Sequence, residues 1–326
     1  MDIAFVFTLI LASFIMVLLM AAGVAITMPF HGALVRLRAN YNPRAVGLEG
    51  VENRVGPTLS TLLGTLKRTK QLEGWYGLYK GAYPMVAFTT LISVCSIIFV
   101  GGSSTRGPRG TYSVPEAGGF QMGIFTILLT LISLPMTVIV NRSIITPYRL
   151  PNNPRQSLKI LLSIRELSMP WTLYLTPGLL LVTFLHSLSV TLVARTMRLL
   201  LLGTPDAGDV WNNTAYWRWA LFTIWQAGAA GWLTPLEVVA TRLSVQPNTG
   251  NGYTGVGGEE AASEEYVPEG VEFCGSGEDV IGLRPTSEPY EGMVDCGRKI
   301  IQEEGGGSLY RGWWWTMLGN VVAVAS

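Results

Sequence analysis

Charged side chains are scarce in this 326-residue chain: Asp, Glu, Lys and Arg together make up 14% of it, and there are only two histidines and three cysteines. These shortages exclude several classes of function. His31 and His186 stand far apart with no metal-ligand spacing, and neither a nucleophile elbow nor a phosphate-cradling glycine loop is present, so no catalytic constellation, metal site or cofactor is expected. The glycines at 305–307 follow no strand, which argues against a nucleotide loop. Cys95, Cys274 and Cys296 form no CxxC pair and no even framework, which leaves them structural or incidental. A net charge of +1, with the basic residues beside apolar runs, argues against nucleic acid as a partner.

What the chain has instead is apolar length. Hydrophobic residues make up 49% and the mean hydropathy is +0.36, the balance of a membrane protein whose spans alternate with polar loops. Residues 3–28 and 120–140 carry no charged side chain, and 169–194 only the titratable His186 until its end, against a need of about 20 residues per span. Weaker runs cover 82–100, 216–234 and 313–326. At about 1.5 Å per residue, the last reaches only about 21 Å of a roughly 30 Å core, so the sixth helix is expected to be short or truncated. The first run follows a single charge, Asp2, and no small-residue cleavage site succeeds it. It reads as a first transmembrane helix rather than a signal peptide.

Three times a proline closes an apolar run and an arginine follows seven residues later: Pro29 and Arg36, Pro135 and Arg142, Pro235 and Arg242. The prolines recur at a period of about 100 residues, and self-similarity on that scale divides the chain into repeats 1–105, 106–205 and 206–326. Loop charge agrees with that division. Residues 36–80 carry eight basic side chains against three acidic ones, and 142–169 five against one, while the alternate loops are short and nearly neutral. One face is therefore basic and suited to anionic lipid headgroups. The third loop breaks the pattern with a Gly-, Ser- and Glu-rich stretch over about 247–290, expected to be a disordered acidic insertion and a docking point for a protein partner. It lacks the spacing of a calcium loop.

The segment from Pro235 through Glu237 to Arg242 resembles the P-x-[DE]-x-x-[KR]-x-[KR] signature of the mitochondrial carrier family. The second half of that signature, an acid and glycine followed by aromatic, cation and glycine, is matched by Glu73-Gly74 with Tyr79-Lys80-Gly81, and by Glu304-Gly305 with Tyr310-Arg311-Gly312. The resemblance implies an all-α fold of six transmembrane helices in three pseudo-threefold repeats, each with a short helix along the membrane. It also implies residence in a mitochondrial membrane, with the inner membrane favoured and the outer as the alternative. By the same parallel Lys80, Gly81, Arg311 and Gly312 would hold a lipid phosphate such as that of cardiolipin. A cation beside a helix N-terminus is physically suited to that role, though an interfacial anchor of aromatic plus cation is an equal reading.

Departures from the family pattern are as informative. In the family, the acid and the base of each proline motif pair across neighbouring helices and close the matrix side. Here those positions hold His31 and Leu34, Thr137 and Val140, and Glu237 and Ala240, so only one charge in six survives. Glu237 is then expected to seek Arg242, Arg142, Arg36 or water, because an isolated carboxylate in an apolar setting costs several kcal/mol. Counting about seven residues past each motif glycine, with Thr176 taken as the equivalent in the second repeat, puts Phe88, Thr183, Phe184, Gly319 and Asn320 at the substrate cavity, with His186 as its titratable group. None of the counted positions is charged, which disfavours nucleotides and dicarboxylates. Two functions remain: transport of a small unidentified solute by alternating access, or a non-transporting, carrier-derived role in membrane organisation, fusion or protein insertion.

Overall fold

The computed structural model describes residues 3–46, 52–54, 57–101, 105–106, 112–113, 119–203, 215–248, 272–275, 279–285 and 288–324. Within them the chain is helical apart from two short antiparallel pairs, Arg44–Val46 with Glu52–Arg54 and Thr105–Arg106 with Tyr112–Ser113. Helix α1 covers Ile3–Ala39, α2 Leu62–Tyr79, α3 Ala82–Gly101 and α4 Gly119–Ile145. The short α5 (Pro154–Leu161) is capped by Asn153, and α6 (Ile164–Ser168) opens on a capping box between Ser163 and Glu166. Helix α7 covers Leu179–Leu188 and passes through one π-helical turn, Ser189–Val193, into α8, Ala194–Leu202. The remaining helices are α9 (Tyr216–Val245), α10 (Met293–Glu303) and α11 (Trp313–Val322). By length and composition, three segments among the described residues can cross a membrane: Phe14–Ala39, Gly123–Ile145 and Leu179–Leu202.

The apolar runs stop at their prolines, but the helices do not. Pro29, Pro135 and Pro235 all lie inside their helices, which continue to Ala39, Ile145 and Val245, ten residues beyond each proline. An internal proline removes one backbone hydrogen bond without ending a helix whose remaining bonds and packing persist. The three proline helices touch one another pairwise. Around them α3 lies between α1 and α4, α7 between α4 and α9, and α11 against α9, while Phe30 stacks on Trp315 at 5.6 Å and brings α11 back to α1.

Burial is concentrated past the prolines. Leu134, Val138, Val238 and Leu243 are inaccessible and form one core with Leu179, Val182 and Ile300, whereas Phe14, Leu18, Leu19 and Ile26 on the long first half of α1 are exposed. Exposed apolar surface on that scale belongs against lipid.

Two expectations are corrected. The fourth apolar run is helical only from Leu179: Pro170–Leu173 is a 3₁₀ turn, and Pro177 with Gly178 breaks the chain again. Gly178 is left-handed (φ 77°), as are Gly81 (φ 82°) and Gly312 (φ 74°), each directly preceding α7, α3 and α11. Gly178, not Thr176, is therefore the second repeat's helix-opening glycine. The insertion expected to be disordered over about 247–290 is packed at 272–275 and 279–285, where Val280 and Ile281 are buried. Their apolar side chains offset the cost of ordering this part of the loop. Residues 249–271, which hold most of that acidic stretch, lie outside the described residues.

Gly178 also shows how closely the second repeat meets the third. A Cβ there would lie 2.2 Å from the Met293 backbone nitrogen, in addition to its unfavourable φ, while one at Gly203 (φ 81°) would meet open space. Gly178→Ala is expected to destabilise the protein by about 3 kcal/mol or more, and Gly203→Ala by the backbone strain alone, about 1–3 kcal/mol. Thermal melts of the two variants in detergent micelles check this, and equal melting temperatures would contradict it.

Candidate gate and cavity floor

The three arginines that follow the prolines by seven residues are buried, and each reaches a carboxylate, on α2, on α6 and at the C-cap of α10 in turn. Arg36 donates to Glu73 (2.5 Å), Arg142 forks onto Glu166 (2.6 and 2.9 Å) and Arg242 donates to Glu304 (3.0 Å). A guanidinium suits such sites because it is planar, always charged and bidentate. The same cations also reach the end of the next proline helix. Arg142 Nε donates to the Ser244 carbonyl (3.0 Å) and Nη2 to Gln246 (2.8 Å), at the end of α9. Arg242 repeats this on α1, from Nε to the Arg38 carbonyl (2.7 Å) and from Nη2 to Asn40 (2.6 Å). In the first repeat Lys80 supplies the link, donating to the Thr146 carbonyl at the end of α4 (2.7 Å). Asn40, Thr146 and Gln246 each follow their proline by eleven residues. The links run from the α2–α3 junction to the end of α4, from α4 to the end of α9 and from α9 to the end of α1.

This arrangement accounts for Lys80 and Arg311. The Lys80 side chain is inaccessible and also donates to Glu73 Oε1 (2.9 Å), while Arg311 pairs with Glu304 (2.9 Å) and with the Asn40 carbonyl. Both cations are engaged inside the protein rather than displayed to a headgroup, because a neighbouring carboxylate and helix-end carbonyls compete for them. The second repeat has no cation at the equivalent position. Glu166 instead accepts from the backbone amides of Ser163 and Asn248, both at 2.9 Å. Burial raises the Glu166 carboxyl, but the Arg142 bonds and the two amides outweigh it and hold its pKa below the ordinary value.

Glu237 takes a partner other than those expected. It accepts from Arg38 (2.5 Å) and from the Thr316 hydroxyl, and His186 Nε2 lies 3.4 Å from its other oxygen. Arg38 also donates to the Thr316 hydroxyl (2.8 Å). Arg36, Arg142 and Arg242 are held by their own acids, so the expectation that Glu237 would seek one of them is overturned. Arg38, two residues beyond the motif arginine and one helical turn past Leu34, supplies the cation that Leu34 lacks. The basic residue was visible in the sequence, but the one-turn displacement was not.

The cavity residues divide. Counted from Gly178, seven residues lead to Leu185, and the next is His186; the matching positions are Phe88 with Thr89 and Gly319 with Asn320. Thr183 is buried, with its hydroxyl donated to the Leu179 carbonyl. Phe88 and Phe184 are half-buried, and Asn320 donates to the Gln226 carbonyl (3.2 Å). A Cβ on Gly319 would meet nothing within 4 Å. His186 and Glu237, with side chains 34% and 22% exposed, are the titratable pair that the structure brings together.

Among known families, the mitochondrial carrier protein family matches residues 280–326. That segment contains Glu304, Arg311, Gly312, Thr316 and Asn320. No curated protein matches the chain.

Removing one member of a buried pair strands the other charge, so Glu166→Gln is expected to cost about 3–5 kcal/mol at neutral pH. Because the folded carboxyl titrates below its unfolded value of 4.5, its contribution is complete above that value. It is lost as pH falls through the lower, folded pKa. Thermal midpoints of wild type and Glu166→Gln between pH 7 and pH 3 should therefore converge on acidification. A gap independent of pH would contradict the assignment.

Proposed function

We propose that this chain is a carrier-type solute transporter of a mitochondrial membrane, built of three repeats around six membrane segments and working by alternating access. The observation that supports it most is the cycle of cations joining each repeat to the end of the next proline helix, at positions offset equally from each proline. The partial match over residues 280–326 to a family of transporters supports it independently. The inner membrane is the favoured location.

In this reading the closure on the basic side is the ring of proline-helix ends, and Glu237 with Arg38 is its ion pair between the third and first repeats. Thr316 and His186 complete the floor above it. A floor whose one carboxylate is neutralised by an arginine leaves no fixed cation for a nucleotide, phosphate or dicarboxylate, so the solute is small and neutral or weakly polar. A second reading, in which the chain no longer transports and instead serves membrane organisation, fusion or protein insertion, is favoured by the loss of the other gate charges at His31, Leu34, Thr137, Val140 and Ala240.

Liposomes containing cardiolipin, loaded with a panel of neutral, amino-acid and carboxylate solutes, separate the two. Wild type should show saturable uptake of a neutral or weakly polar solute. Glu237→Gln and Arg38→Gln should each change its rate by an amount equivalent to about 1.5–3 kcal/mol, and the double variant by clearly less than the sum of the two, since both remove the Arg38–Glu237 bond. Absence of uptake of any solute by folded protein would favour the non-transporting role.

A further inference from the structure

The segment between α9 and α10 returns to the base of the molecule as a strap. Val280 and Ile281 are each 6% exposed and pack with Ala39, Ile145 and Val245. Those three residues belong to three different helices, and each is the tenth after its proline. Val280 and Ile281 therefore form one apolar cluster with Ala39, against which the equivalent positions of the other two helices, Ile145 and Val245, pack.

The strap is held to every repeat. On the first, Tyr41 N–H donates to the Gly282 carbonyl (2.8 Å), Gly282 N–H to Asn40 Oδ1 (3.0 Å), and Arg68 to the Val280 carbonyl (3.2 Å). On the second, Arg149 N–H donates to the Glu272 carbonyl and Cys274 N–H to that of Pro147, both at 2.9 Å, while Phe273 packs on Tyr148 with ring centroids 4.8 Å apart. On the third, Arg284 forks onto Glu303 (2.5 and 2.9 Å), whose other donor is the Tyr41 hydroxyl of the first repeat. Helix ends that move apart cannot all keep one apolar pair between them, and a strap bonded to three bodies resists the separation of any two.

We propose that residues 272–275 and 279–285 form a built-in plug that locks the basic-side closure, doing with apolar packing and backbone hydrogen bonds what five absent gate charges do not. The strap must lift before the proline helices part. That the parting serves transport rests on the function proposed above; the lock itself does not.

The test uses the full chain in lipid nanodiscs, with Arg68→Gln/Arg284→Gln to free the strap by its side-chain anchors and Ile281→Ser to weaken the plug alone. Alkylation of Cys274 by a water-soluble maleimide, read peptide by peptide, reports whether the strap has lifted. Amide exchange at 36–41 and 240–246 reports whether the helix ends have opened. Both should accelerate in the double variant, exchange by about tenfold or more, and Ile281→Ser should accelerate exchange in the same peptides. Faster alkylation with unchanged exchange would overturn the lock, and unchanged alkylation would overturn the assigned anchorage. Uptake should rise with exchange if the chain transports. Faster exchange with no uptake of any solute, by wild type or variant, would sink the transport reading and leave the lock standing.

Discussion

The C-terminal end of a helix leaves four carbonyls without intrahelical donors, and where those ends are buried in the protein water cannot be relied on to satisfy them. This chain meets that constraint three times with one device. A cation from one repeat reaches the carbonyls that end the proline helix of the next, while a carboxylate of its own repeat holds it in place. The burial past the prolines, the pairwise contacts of α1, α4 and α9 and the meeting point under them all follow from drawing three helix ends within reach of those side chains. A buried guanidinium without its acid would be costly, so the acids on the short helices belong to the same device.

The three solutions are not identical, and the differences fall where the sequence departs from its own period. The first and third repeats use two cations per acid, whereas the second uses one cation and two backbone amides. Among the acid and base positions of the three proline motifs, Glu237 is the acid, and its cation, Arg38, lies one turn past Leu34 on α1. Val280 and Ile281 then occupy the point to which the helices converge. Apolar packing of this kind, unlike an ion pair, is not weakened by ionic screening.

Much of this was legible in the sequence. The spacing of Pro29, Pro135 and Pro235 with Arg36, Arg142 and Arg242 fixed the period, because residues that recur at one offset in three places are constrained by one geometry. The long apolar runs located the helices but misplaced their ends, since hydropathy stops where lipid stops while hydrogen bonding continues to Ala39, Ile145 and Val245. The partner of Glu237 was hidden because Arg38 and His186 lie 199 and 51 residues away, a relation that only packing reveals. The strap was hidden because two apolar residues in an acid-rich loop carry no periodicity. Gly178 was missed because two extra residues displaced it from the aromatic–cation–glycine spacing.

The π-helical turn at Ser189–Val193 has a bearing on how any residue beyond it is to be compared with the other even helices. A single inserted residue advances the helix by about 100°, so a side chain in α8 faces a direction that counting in steps of 3.6 from Gly178 assigns to its neighbour. Thr191 within that turn shares a hydrogen bond with Thr126 of α4 at 2.7 Å, which pins the rotated register to the adjacent helix. Arg195 and Arg198 consequently do not align with residues of α3 by simple counting from Gly178 and Gly81. Their azimuth around the bundle is set by one wide turn, and a deletion of one residue there would re-aim the whole outer third of the helix while leaving its composition unchanged.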